Sequence, residues 1–247
     1  MSRFFVDPEC ISGSHIYIEN KDDLHHLSRV LRAKVGMKLD ISDKDSWEYK
    51  AEIEELTSES AVLRILDKQK FASEPALKVT LYQGVPKGAK METVIQKTVE
   101  MGVYSIVPVF MERTIVVEKG NSQKKLARWQ KISDEAVKQC KRGIIPEVCL
   151  NHSFAEMVAE LDEYDLVLCP YENEEGRTIK AYLRSLENAE NVKSAAIIIG
   201  PEGGFGEREI AMLEEAGAVT VTLGKTILRT ETAGMAALAM VMYELEL

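Results

Sequence analysis

Histidine and cysteine are both scarce in this chain, four of each in 247 residues. The cysteines (Cys10, Cys140, Cys149, Cys169) are scattered, with no C-x-x-C pair. A disulfide framework or a structural zinc site is therefore not expected, and buried reduced thiols are the default. His25 and His26 are neighbours, but no H-x-x-x-H spacing occurs, so no metal is expected. Long apolar runs are missing as well: none approaches the roughly 18 residues of a membrane span. The opening "MSRFFVDPEC" has no apolar stretch of the kind a signal peptide needs. These absences lead to the expectation of a soluble, cytoplasmic protein with no membrane partner.

At 45% apolar residues the chain can still bury a real core, in one large domain or two smaller ones. The net charge of −9 argues against a generally basic nucleic-acid binder. Its distribution says more. Residues 113–146 hold nine basic and three acidic side chains, a net +6, whereas residues 147–247 hold seven and nineteen, a net −12. A confined basic block on an acidic chain suits a local phosphate-backbone contact; a solvated lysine-rich helix face would look the same.

Residues 1–72 read as short β segments, "HIYIE", "KLDISD", "EYKAEIEEL" and "SAVLRIL", separated by turn residues. One helical piece, "DLHHLSRVLR", interrupts them, with Asp22 or Asp23 as cap and Leu24, Leu27, Val30 and Leu31 on one face. The region looks like a small β-barrel. A polar break around Pro75 follows, and from there to residue 247 strands and helices alternate. Strands such as "LKVTLYQGV", "DLVLCP" and "SAAIIIG" are nearly continuous apolar runs, which means an α/β domain with a mostly parallel sheet covered on both faces. Ser153 and Glu156 form a capping box, and Gly217 stops the helix "EREIAMLEEA". The final helix, "TAGMAALAMVMYEL", is apolar almost all round; it belongs in the core or at a subunit interface.

Ligands on such sheets sit beyond the carboxyl ends of the strands. Two of these ends stand out: "GPEGGFG" (200–206) and "LGKTILRTETAG" (223–234). Neither a G-x-G-x-x-G dinucleotide turn nor a P-loop is present, and Glu202, Glu207 and Glu209 would repel a pyrophosphate. A nicotinamide-dependent oxidoreductase therefore lacks its phosphate loop. A carboxylate among glycines instead suits a ligand with a positive centre and amine or hydroxyl donors. S-adenosylmethionine has all of these, and the glycines let backbone approach it closely.

"IGPEGGF" paired with "LGKTILRTETA" resembles the C-terminal motifs of the SPOUT methyltransferases, and more specifically the RsmE family of 16S ribosomal RNA uridine-N3 methyltransferases. The resemblance covers the whole chain. "HHLSRVLRAKVG" is similar to that family's N-terminal PUA-like RNA-binding barrel, and "PKGAKMETVIQKTVEMGV" and "EAVKQCKRGIIPEV" to its central segments. Met101 departs from the Leu expected before Gly-Val.

The resemblance implies an α/β fold of two domains. A PUA-like β-barrel over 1–72 would bind RNA, and a SPOUT α/β-knot domain over 73–247, ending in a trefoil knot, would bind S-adenosylmethionine and form a homodimer. Its cofactor loops would be Pro170, Tyr171 and Glu172; Gly200, Pro201, Glu202 and Gly203; and Leu223, Gly224, Ile227, Leu228 and Arg229. The partner would be 16S rRNA or the small ribosomal subunit. Methylation at uridine N3 requires loss of an imide proton and stabilisation of the resulting charge. Arg229 suits the second task. Glu231 or Glu202 suits the first if burial raises its pKa. RNA contacts would come from Arg113, Lys138, Gln139, Lys141 and Arg142 in the basic block and from Arg3, Arg29, Arg32 and Lys34 in the barrel. Lys87 and Lys90 follow the first strand of the large domain, and Lys87 is counted with the RNA contacts. The competing expectation is a non-catalytic RNA-binding or ribosome-assembly factor that kept a knotted domain and lost its chemistry.

Overall fold

The computed structural model describes residues 3–71, 74–116 and 122–246. The chain divides into two compact units, residues 1–74 with 137–145 and residues 75–136 with 146–247.

In the first unit, β1 (Arg3–Phe5), β2 (Ile11–Ser12), β3 (His15–Ile18), β4 (Lys38–Ser42), β5 (Trp47–Leu56) and β6 (Ala61–Lys70) form one sheet in the order β1-β4-β5-β6-β3-β2. All pairings are antiparallel except β1 with β4. Alternation sends Tyr49, Ala51 and Ile53 of β5 into a core with Leu39, Ile41, Leu63, Ile16 and Ile18, as a period of two requires. Irregularities at Lys50/Ala51 and Ile53/Glu55 mark β-bulges, which bend a strand and increase its twist.

The helix α1 (Lys21–His25) is capped by Asn20, whose side chain accepts the Asp22 and Asp23 N–H groups. The expected aspartate caps are thus first-turn residues, favourable to the helix dipole. Residues His26–Val30 continue as a π turn. The wider turn takes Val30 off the apolar face: it is 63% exposed, while Leu24 and Leu27 are buried.

Residues 137–145 join this unit through a buried ion pair. Arg142 donates to Glu74 from Nε (3.2 Å) and Nη2 (2.8 Å), and Glu74 also accepts the N–H groups of Gly143 and Ile144. Arg3, paired with Glu48, donates to the carbonyls of Lys141 and Arg142. Two arginines expected on the RNA surface are therefore internal struts, because their guanidinium forks are used up on carboxylates and carbonyls.

The second unit carries β7 (Lys78–Gly84), α2 (Lys90–Glu100), β8 (Ser105–Phe110), α3 (Ser122–Cys140), β9 (Glu147–Val148), β10 (His152–Ser153), α4 (Phe154–Ala159), β11 (Leu166–Pro170), α5 (Ile179–Arg184), β12 (Ser194–Ile199), α6 (Glu207–Glu215), β13 (Val219–Val221) and α7 (Thr230–Leu245). From residue 137 on, α3 clusters with the first unit. The sheet runs β10-β8-β7-β12-β11-β13, with β9 also on β8, and every pairing is parallel. The Ser153–Glu156 capping box forms, and Gly217 ends α6 with φ +88°. A core of Tyr82, Val107, Val109, Met157, Ile198 and Leu213 includes residues of α4 and α6. The helix α7 packs on α2, α5, β7 and β12, burying Gly234, Ala237, Leu238, Val241 and Met242 and leaving Ala239, Met240 and Tyr243 exposed. Among the described residues no helix is long and apolar enough to cross a membrane, and no cluster could hold a metal ion.

Removing one partner of a buried ion pair strands the other charge, at about 3–5 kcal/mol. Arg142→Ala should lower unfolding free energy by about that amount in urea titrations; an unchanged midpoint would return Arg142 to the surface.

Candidate active site

Parallel strands point their carboxyl ends the same way, and the strand order sets β12 between β7 and β11 with β13 beyond. The segments after β11, β12 and β13 therefore emerge side by side. Together they enclose a cavity of about 510 Å³. Its walls include Pro170, Tyr171 and Glu172; Gly200, Pro201 and Glu202; and Leu223, Gly224, Ile227, Leu228 and Arg229. Of the expected cofactor residues only Gly203 is not on the lining; the Cβ it lacks would meet Arg113 Cβ at 2.9 Å, and Arg113 Nη1 donates to its carbonyl at 3.2 Å.

Several lining residues were not among the expected cofactor residues, including Lys90, Phe205, Thr226, Thr230 and Ala233. Thr230 is the most structural of these. Its buried hydroxyl donates to the Gly200 carbonyl at 2.6 Å and accepts from Gln83 Nε2 at 2.9 Å, tying the start of α7 to the β12 loop and to β7. Phe205 packs edge-on to Tyr171, ring centroids 6.4 Å apart. Gly204 has φ +68°, and a Cβ there would run into the Glu172 carboxylate. The buried Glu209 accepts N–H groups from Gly206 and Glu112, both at 2.8 Å. It is a brace for the helix start and the 112 loop.

Glu202 is committed too. Its Oε1 accepts from Lys90 Nζ (2.9 Å) and from the Lys87 N–H (3.0 Å). Partial burial pushes its carboxyl pKa up, but the Lys90 ammonium and the Lys87 N–H outweigh that and hold it below the usual glutamate value. The raised pKa that a general base would need is thus absent from Glu202. Glu231, in the first turn of α7, is not on the cavity lining. Its buried Oε2 has no hydrogen-bond partner and lies 3.4 Å from Lys90 Nζ. Arg229 caps α7 with backbone only, is exposed, and among the described residues has no ion pair.

The remaining polar candidates divide between the units. Arg29, Arg32, Lys34, Lys138, Gln139 and Lys141 are exposed on the first. Lys138 lies near α1: Asp23, its pKa raised by burial, feels the opposing charges of Lys138 and His26. Lys87 and Arg113 are exposed on the second.

Comparison with known proteins accords with this arrangement. The family described as "RNA methyltransferase domain" matches residues 73–242, and "RNA methyltransferase PUA domain" matches residues 18–66. The class is thus an RNA methyltransferase with an appended PUA domain. Ribosomal RNA small subunit methyltransferase E of Bacillus subtilis is 31% identical, covering 100% of this chain and 98% of its own. The Neisseria gonorrhoeae enzyme of the same name, solved with S-adenosyl methionine bound, shares 31% identity over 98% of this chain and 97% of that one, with a TM-score of 0.83. A Legionella pneumophila protein described as a putative methyltransferase, in complex with its bound cofactor SAM, superposes with a TM-score of 0.82 at 31% identity, over 98% of this chain and 96% of that one. This chain belongs to the ribosomal RNA small subunit methyltransferase E family.

The cavity depends on close contact between β7 and the β12 loop. A Cβ on Gly84 would stand 2.5 Å from Pro201 N and 2.8 Å from Gly200 C. Overpacking of this kind costs about 1–3 kcal/mol, so Gly84→Ala should reduce thermal stability accordingly. Wild-type melting of that variant would show the contact to be looser.

Proposed function

We propose that this protein transfers a methyl group from S-adenosylmethionine to N3 of a uridine in 16S ribosomal RNA. The observation that carries the proposal is the cavity formed by the segments after β11, β12 and β13, with Glu172 and Glu202 on its walls and Arg229 at its edge. The residues fit the cofactor. The volume falls within the roughly 300–1,000 Å³ typical of small-molecule pockets, glycines at 200, 204 and 224 expose backbone, and the carboxylates suit a cation better than a phosphate. When bound, S-adenosylmethionine supplies an electrophilic methyl group on a sulfonium.

The chain's own residues would do the rest. Pro170, Tyr171, Gly200, Pro201, Leu223, Gly224, Ile227 and Leu228 form the apolar and backbone walls that orient the cofactor and exclude water. Arg229 has an uncommitted guanidinium to set against negative charge on O2 or O4 of a uridine that has lost its N3 proton. Of the two carboxylates considered as proton acceptors, Glu202 is held ionised by Lys90 and is a poor base; Glu231 remains the candidate, acting through water. The exposed cations of the first unit, with Lys87 and Arg113, would contact RNA phosphates. The exposed row Ala239, Met240 and Tyr243 on α7 supports a homodimer through that helix, and action on ribosomal RNA supports a cytoplasmic location.

One fixed donor to a developing oxyanion is worth about 10²–10³ in rate. Arg229→Ala should therefore bind S-adenosylmethionine in calorimetry yet lose methyl transfer by about that factor, measured by mass spectrometry of small-subunit rRNA. Wild-type turnover by the variant would remove Arg229 from the mechanism, and a wild-type protein that neither binds S-adenosylmethionine nor modifies the rRNA would remove the function. A negative charge on the exposed face of α7, as in Tyr243→Asp, should convert a dimer to a monomer in sedimentation; an unaffected dimer would place the interface elsewhere.

A further inference from the structure

We propose that Lys90 is a positioning residue of this site: by bridging Glu202 and Glu231 it latches the wall of residues 200–204 to the start of α7, and so sets how tightly the cavity holds its cofactor. The inference rests on the cofactor reading above and adds to it a residue outside the three strand-end segments.

Four observations carry it. First, Lys90 opens α2, where the partial positive charge of a helix N-terminus disfavours a cation. A lysine there needs compensation, and two carboxylates supply it. Second, those carboxylates come from distant segments: Glu202 from the loop after β12, at 2.9 Å, and Glu231 from the first turn of α7, at 3.4 Å. Third, the bridge is anchored a second time, because the same Glu202 oxygen accepts the Lys87 N–H at 3.0 Å. Lys90 therefore ties down the turn between β7 and α2 along with both walls. Fourth, Glu231 Oε2 is buried and has no hydrogen bond. The Lys90 ammonium is the one cation within 4 Å of it among the described residues. Without Lys90 neither carboxylate would have a cation within 4 Å among the described residues.

An exposed pair of this kind often contributes little. Here one cation is shared between two walls of a single cavity and is itself part of the lining. The function of the latch is then visible in ligand affinity more than in global stability. A shift of a wall by an ångström can cost far more in a bound complex than in the empty fold.

The test compares wild type with Lys90→Met, Lys90→Arg, Glu202→Gln and the double variant Lys90→Met/Glu231→Gln. S-adenosylmethionine affinity is measured by calorimetry, and KM and kcat on small-subunit rRNA. Lys90→Met should raise Kd and KM for the cofactor roughly tenfold, a larger change than any in kcat. Lys90→Arg should stay within about threefold of wild type, and Glu202→Gln should weaken binding in the same direction. Removing the stranded charge in the double variant should recover part of the lost affinity, the coupling expected of direct partners. Lys90→Met binding as tightly as wild type would overturn the latch, as would a loss confined to kcat, which would mean contact with the reacting base. If Lys90→Met does not fold, Glu202→Gln with unchanged Kd is the overturning result. A wild-type protein that binds no S-adenosylmethionine would instead sink the cofactor reading.

Discussion

The site is held together by a short chain of buried hydrogen bonds: Gln83 to Thr230, and Thr230 to the carbonyl of Gly200. Each bond is worth only about 1 kcal/mol net, but leaving one of these buried groups unpaired would cost more. These bonds link β7, the loop after β12 and the first residue of α7, three segments far apart in sequence. The packing is correspondingly unforgiving. Gln83 Oε1 is buried without a partner and lies 3.2 Å from where a Cβ on Gly234 would stand, so any side chain there would crowd the Gln83 amide. Gly84 plays the matching part on the strand side, beneath Pro201. Two glycines that look unremarkable in sequence are what let the last helix and the glycine loop share one cavity.

Much of this was legible because it is local. The capping box at Ser153 and the stop at Gly217 depend on residues within a few positions of each other. The strands of the second unit announce themselves as apolar β-branched runs. What could not be read is what depends on spatial neighbours. Asn20 displaces Asp22 and Asp23 as cap because the helix already begins at Lys21, and β1, β2 and β10 are too short to show a period. Arg142 sits in a basic run and looks like surface, yet Glu74, 68 positions away, makes it internal. Lys90, named from sequence only as a residue following the first strand, joins the cavity because the strand order places the end of β7 beside β12.

The carboxylate inside the glycine loop illustrates the same limit. From sequence, Glu202 suits a cation-bearing ligand or a general base, and both readings assume that it faces the cavity uncommitted. In the fold it lines the cavity while spending one oxygen on Lys90 and the Lys87 N–H. Ionised and pinned, it keeps the site acidic without being free to take a proton. Glu231, the other carboxylate beside Lys90, keeps a buried oxygen without a hydrogen bond and is not on the lining.

This division of charge also bears on how an acidic protein can handle a polyanion. Residues 147–247 carry a net −12 and supply most of the cavity wall, so an RNA phosphate has little reason to enter. A neutral base has no such objection. The cations on the lining are Lys90 and Arg229; the first is neutralised by two glutamates, which leaves Arg229 as the uncommitted one among the described residues. The phosphate contacts proposed above are instead exposed lysines and arginines off the cavity lining, among them Lys138 and Lys141 from the basic block. Backbone contacts fix where a nucleic acid lies and base contacts decide what is read. On the function proposed above, an acidic cavity would take an uncharged base, with the charge of its strand met by cations outside that cavity.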